Sequence, residues 1–179
     1  MRIKLVAAVL AALAGGVLGG CTASADVPDG FTAGKAANVT FAHPEGWSTT
    51  STGSTYQAEL RKGGRLGAVL TAQRIDVQSG DARAALATAI GGPQLSWFGY
   101  SVQGMRDLEI EGAESSARVD YTYRDNREQG IAVGPGAGTD VAVVVPGRKV
   151  DLVRITWSRG ALTAAQVNEI VSTIRYQEG

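Results

Sequence analysis

The chain has one cysteine and one histidine, and aromatic side chains make up only 6% of its 179 residues. One cysteine can form no disulfide within the chain, so the folded part must be held by a buried core rather than by covalent staples. One histidine, His43, excludes a zinc site built on paired imidazoles, and no second His or Cys accompanies it at ligand spacing. A Ser-His-Asp hydrolase would need His43 beside a serine in an elbow such as G-x-S-x-G, and the chain contains no such elbow. His43 precedes Pro44 at the end of an alternating apolar run and therefore reads as a turn residue. Neither sign of charge is in excess, with 17 basic and 17 acidic side chains. No strong field is available to attract nucleic acid or anionic lipid. No apolar run reaches the roughly 20 residues that span a membrane as a helix.

What the chain does have begins at its N-terminus. Arg2 and Lys4 precede a short apolar stretch, Leu5 to Leu18, which ends in Leu18-Gly19-Gly20-Cys21. A basic start, a short apolar middle and small residues before a cleavage point are the marks of an export signal. A leucine three places before a cysteine, with small residues between, resembles the bacterial lipoprotein signal known as the lipobox. The resemblance implies cleavage before Cys21 and a diacylglyceryl group on its sulfur, followed by acylation with fatty acid such as palmitate. Two or more acyl chains hold a protein at a membrane without spanning it. The competing reading is a short uncleaved anchor helix, and both place the body of the protein outside the cytoplasm.

Three segments follow: a signal peptide over 1–20, a flexible tether over 21–35 and a single domain over 36–179. The tether is small and polar, broken by Pro28 and Gly30, with no hydrophobic period. The domain opens on an alternating strand, Ala37 to Ala42, and then turns at His43-Pro44-Glu45-Gly46-Trp47. Asn38-Val39-Thr40 matches a glycosylation sequon, but β-propensity suffices to explain Val39 and Thr40. Thr55 to Leu60 and Leu66 to Ile75 form a hairpin around Lys62-Gly63-Gly64. Ala82, Ala85, Leu86, Ala89 and Ile90 define a helix over 79–90, stopped by Gly91-Gly92-Pro93.

Strands are predicted over 100–110, 114–125 and 128–133. The alternation is strongest where Ala117, Val119, Tyr121 and Tyr123 oppose Arg118, Asp120, Thr122 and Arg124, one set for the core and one for water or a partner. Val141 to Val145 is apolar throughout and reads as a central strand, and Lys149 to Ser158 as the strand paired with it. The second helix spans 163–176, with a Thr163 and Gln166 capping box and a stripe of Val167, Ile170, Val171 and Ile174. Runs of strands with two helices give an α+β domain, an antiparallel sheet with helices packed on it.

Candidate chemistry is sparse. Gly134-Pro135-Gly136-Ala137-Gly138 lacks the Lys-Ser/Thr of a phosphate loop, carrying Thr139-Asp140 instead, and reads as a flexible hairpin loop. Glu109, Glu111 and Glu114 surround a turn without the ligand spacing of a calcium loop and read as a solvated edge, so no metal and no cofactor is expected. Trp97-Phe98-Gly99-Tyr100 crowds three aromatics between helix and strand. They are either plugs between helix and sheet or, as Trp97, Phe98 and Tyr100 exposed on a loop, a contact for a protein partner.

The early strand leading into Pro44-Glu45-Gly46-Trp47, the meander of strands, the strand Val150 to Trp157 and the closing helix Thr163 to Ile174 together resemble the PsbP-like superfamily. That group includes a photosystem extrinsic subunit, the Ran-binding Mog protein and LpqN-type actinobacterial lipoproteins. The resemblance covers about residues 36–177 and implies an α-β-α sandwich whose members mostly bind partners. The sequence reading is thus a lipid-anchored, extracytoplasmic lipoprotein of the cell envelope. It is expected to act as a non-catalytic binding or accessory module, held to the membrane through lipid on Cys21 and meeting an envelope protein. The alternative is a carrier or enzyme with a pocket for an envelope lipid or glycan, which would require a sizeable cavity with convergent polar groups.

Overall fold

A computed structural model describes residues 27–126 and 135–178. The signal peptide, Cys21, the first residues of the tether, the strand expected over 128–133 and Gly134 lie outside the described residues. The chain runs β1 (Phe31–Ala36), β2 (Val39–Pro44), β3 (Ser48–Ser51), β4 (Thr55–Lys62), β5 (Arg65–Ile75), α1 (Ala82–Ala89), α2 (Gly91–Ser96), β6 (Ser101–Asp107) and β7 (Ser115–Tyr123). It continues with β8 (Gly136–Val145), β9 (Lys149–Ser158), α3 (Ala164–Ser172) and β10 (Arg175–Tyr176). Seven strands form one antiparallel sheet in the order β3-β4-β5-β9-β8-β7-β6, and three form a small second sheet, β1-β2-β10. The fold is α+β, as the sequence implies.

Alternation along the inner strands buries both faces of the large sheet. Val141, Val143, Val145, Val153 and Ile155 pack beneath the small sheet and α3, against Phe41, Val167, Ile170 and Ile174. Ala142, Val144, Val150 and Leu152 point the other way, with Ala117, Val119, Tyr121 and Tyr123, and meet Ala85 and Leu86 of α1. Helix therefore covers sheet on both sides, an α-β-α arrangement. Val141 to Val145 is an inner strand as expected, although β9 occupies the middle position of the seven.

The helices start where capping residues permit. The Asp81 carboxylate accepts the Arg83 and Ala84 amides at 2.7 and 3.1 Å to open α1, and Thr163 and Gln166 form the reciprocal box that opens α3. The first helix ends before Gly91-Gly92-Pro93 as expected, at Ala89, but a second short helix, α2, begins at Gly91, because a proline in a first helical turn forfeits no hydrogen bond.

Three segments depart from the sequence reading. Residues 31–35, expected in the tether, belong to the fold, since Phe31–Ala36 pairs along its length with β2. The last helix ends at Ser172 rather than at Tyr176. There the Thr173 hydroxyl donates to the Ile170 carbonyl at 2.7 Å and accepts the Ala42 amide at 2.8 Å, which turns Arg175 and Tyr176 onto β2 as a short strand. Gly136, Ala137 and Gly138, expected in a flexible loop, are the first residues of β8.

Asn38 of the sequon sits in the turn between β1 and β2 and is used structurally. Its backbone amide donates to Asp151 at 3.0 Å, and its side-chain oxygen accepts from Arg74, which is itself paired bidentately with Asp151 at 2.8 and 3.0 Å. This fixes the small sheet to β5 and β9.

Candidate functional site

The structure splits the aromatic cluster. Trp97 is 5% exposed and belongs to the core beneath α1, while Phe98 is 68% exposed and Tyr100 is half-buried. Gly99, at a φ of +68°, makes the reversal between them, and the stem of Arg124 occupies the space its side chain would fill. The Trp97 ring meets Tyr100, Tyr121 and Tyr123 edge-on, with centroids 6.0, 5.8 and 5.3 Å away, and Tyr100 stacks on Tyr121 at 4.8 Å. Trp97 and Tyr100 are therefore packing residues, and of the three proposed contacts Phe98 alone faces solvent squarely.

Beneath these rings lies a buried ion pair that the sequence reading did not find. Arg154 on β9 grips Asp140 on β8 through contacts of 2.6 to 3.0 Å, and its guanidinium lies 5.7 Å from the centre of the Trp97 ring. Tyr121 donates its hydroxyl to Asp140 at 2.9 Å, and Arg154 donates to the Ala89 carbonyl at 3.3 Å, tying the end of α1 to the sheet. Burial, together with the neighbouring Asp140 charge, pushes the Tyr121 hydroxyl well above its ordinary pKa. The cluster braces the end of α1 against β8 and β9 through Arg154 and Asp140.

His43 is braced as well. The ring is buried, Nδ1 lies 2.9 Å from the Pro44 carbonyl and Nε2 lies 2.7 Å from the Tyr56 hydroxyl. Only a donor at Nδ1 can serve a carbonyl, so Nε2 accepts from Tyr56 and the neutral ring satisfies both partners. Burial lowers its pKa, offset in part by the Pro44 bond.

The polar side of the alternating strand β7 also forms a network. Arg118 donates to Asp120 at 2.7 Å, to the Thr139 hydroxyl at 2.8 Å and to Asn168 of α3 at 2.8 Å, and Arg106 reaches Asp120 from β6 at 2.8 Å. Burial alone would raise the Asp120 carboxyl, but hydrogen bonds from Thr139 and Arg118 and the charges of Arg118 and Arg106 outweigh it and hold its pKa below the usual value. Glu109, Glu111 and Glu114 border an open groove of about 510 Å³, and among the described residues no three His, Cys, Asp or Glu side chains gather as a metal site.

An open cleft of about 630 Å³ lies where β7, β8 and β9 end together. Arg124 and Arg159 line it, with Ser101, Thr122 and Trp157, and among the described residues no Asp or Glu is in its wall. The register that pairs Gly136 with Ser158 and Thr122 with Ala137 brings these positions side by side. Arg124 was visible in sequence as the last polar residue of the alternating strand. Arg159 and Trp157 carried no signal, since their nearness to Arg124 depends on a register across three strands.

No protein-family model matches the sequence, and no curated protein matches it. Solved structures do resemble the fold. The Ran-binding protein Mog1p of Saccharomyces cerevisiae superposes with a TM-score of 0.52 at 9% identity, over 78% of this chain and 90% of Mog1p. A single-substitution mutant of the protein Mog1 superposes with a TM-score of 0.55 at 8% identity, over 83% of this chain and 96% of that one. At such identities the likeness is one of architecture, and the chain has the Mog1/PsbP-like fold.

Proposed function

We propose that the chain is a lipid-anchored, extracytoplasmic lipoprotein that serves the cell envelope as a non-catalytic binding or accessory module. The observation that carries the reading is a division of labour among its polar groups. The imidazole of His43 and the buried carboxylates Asp140 and Asp151 are engaged in holding the scaffold, whereas the cleft beside Arg124 and the ring of Phe98 are presented to solvent. The resemblance of Leu18-Gly19-Gly20-Cys21 to a lipobox supports the location. Mog1p is a Ran-binding protein, and a fold used by one binding protein is a reasonable scaffold for another. The test of the anchor is Cys21→Ala, which should abolish labelling by a fatty-acid probe and move the protein from membrane to soluble fractions. Persistent labelling would overturn the assignment.

The second reading, a carrier or enzyme for an envelope lipid or glycan, draws support from the size of the cleft, which falls within the range of small-molecule sites. Native mass spectrometry of protein taken from its own envelope separates the two. A retained lipid or glycan mass supports the carrier, and crosslinked protein without a retained ligand supports the accessory module.

A further inference from the structure

We infer that the cleft at the common end of β7, β8 and β9 is a binding site for a small ligand that presents an oxyanion, phosphate or carboxylate, on a flat body. The inference rests on the binding-module reading and is independent of lipid on Cys21.

The first argument is electrostatic. Arg61, Arg74, Arg83, Arg106, Arg118 and Arg154 are each paired with a carboxylate. Among the described residues the side chains of Arg124 and Arg159 have no carboxylate, hydrogen-bond or ion-pair partner. Both line the same cleft, and among the described residues its wall contains no Asp or Glu. A guanidinium in a cavity without a carboxylate is a fork of donors matched to the oxygens of phosphate or carboxylate.

The second argument is that both arginines stand on fixed backbone. The Arg124 amide donates to the Phe98 carbonyl at 2.9 Å, and its aliphatic stem lies against Gly99, where a β-carbon would come within 2.7 Å of it. The Arg159 amide donates to the Pro135 carbonyl at 3.0 Å. The Arg124 stem is thus seated against Gly99, and Arg159 stands in a turn whose backbone is tied to Pro135.

The remaining wall fits the rest of such a ligand. Ser101 and Thr122 each accept from the Gln103 amide, at 3.3 and 3.2 Å, which leaves their hydroxyl hydrogens available to an acceptor in the cleft. Trp157 is half-buried, with its backbone carbonyl held by the Tyr123 hydroxyl at 3.2 Å, and supplies an aromatic surface for a planar group. Donors to an anion beside a platform for a flat body describe one kind of ligand.

The test is calorimetric titration of the full chain at low ionic strength with phenyl phosphate, benzoate and phenol. Phenyl phosphate or benzoate should bind, with phenol weaker by about tenfold or more, since charged hydrogen bonds carry the recognition. Preference between the two anions identifies the natural oxyanion as phosphate or carboxylate. Arg124→Gln with Arg159→Gln should weaken the anions by about tenfold or more while the melting temperature and the binding of phenol stay as they were. Equal affinity for phenol, or undiminished anion binding by the double variant, would overturn the site. So would the absence of heat with all three probes, an outcome that leaves fatty-acid labelling at Cys21 unaffected and so separates this failure from that of the anchor.

Discussion

Tyr121 on β7 and Gly138 on β8 are register partners, and the tyrosine ring lies across the glycine so closely that a β-carbon there would stand 2.2 Å from it. Tyr123 and Gly136 repeat the relationship two residues along, at 2.5 Å. The glycines of this strand are therefore seats for rings. Their lack of a side chain lets Tyr121 settle low enough to reach Asp140.

Gly138→Ala should accordingly destabilise the fold through overpacking, by about 1 to 3 kcal/mol. The midpoint of chemical denaturation should fall with the slope of the transition unchanged. A midpoint equal to that of the parent would mean that the Tyr121 ring moves aside without cost.

The Asp140 and Arg154 pair should behave asymmetrically on dissection. Arg154→Met alone strands a buried carboxylate and should cost about 3 to 5 kcal/mol, whereas Asp140→Leu combined with Arg154→Met should recover most of that loss. A double-mutant cycle read by denaturation measures the difference. Equal losses in the single and double variants would mean that packing by the arginine stem, not charge, is what the site requires.

These contacts explain which parts of the fold were legible in the sequence. The stripe Val167, Ile170, Val171 and Ile174 and the box of Thr163 with Gln166 are local, with partners within one or two turns, and α3 was readable from them. β1 and β10 were not, because each is completed by β2, and the Arg175 pairing with Thr40 joins segments far apart in the chain. The glycines of β8 read as loop because glycine is usually a turn former, and only the register with Tyr121 and Tyr123 shows what their bareness serves. Phe98 and Trp97 were inseparable as neighbours in sequence, since what sets them apart is the extended backbone of Trp97 at the end of α2, which turns one ring to the core and the next to solvent.

His43 gives stability a dependence on pH. Its pKa is lowered by burial in the folded chain, so on acidification the unfolded chain takes up a proton before the folded one does. Stability should therefore be level above about pH 6.5, the ordinary value of the imidazole, and decline as the pH falls from there toward the lowered value. Asp120, with a depressed pKa, adds its own loss in the carboxylate range, where protonation breaks its bonds to Arg118 and Thr139. Melting temperatures taken from pH 8 to pH 4 should show the upper decline in the parent and not in His43→Gln. The same slope in both would locate the upper titration elsewhere.

Trp97 and Phe98 provide the sharpest contrast, because adjacent residues should respond in opposite ways. Trp97 packs against three tyrosines and faces the Arg154 guanidinium, so Trp97→Ala should cost about 3 to 5 kcal/mol. Phe98 contributes its backbone, whose carbonyl accepts from Arg124 and Asp125, while its ring is exposed; Phe98→Ala should shift stability by about 0.5 kcal/mol or less. If the stretch meets a protein partner, Phe98→Ala should lower the yield of crosslinked complex at an unchanged melting temperature. Trp97→Ala would reduce that yield only to the extent that it unfolds the chain. A Phe98→Ala variant that melts like the parent and keeps its full crosslinking yield would remove the stretch from consideration as a contact and leave the arginine-lined cleft as the surface to pursue.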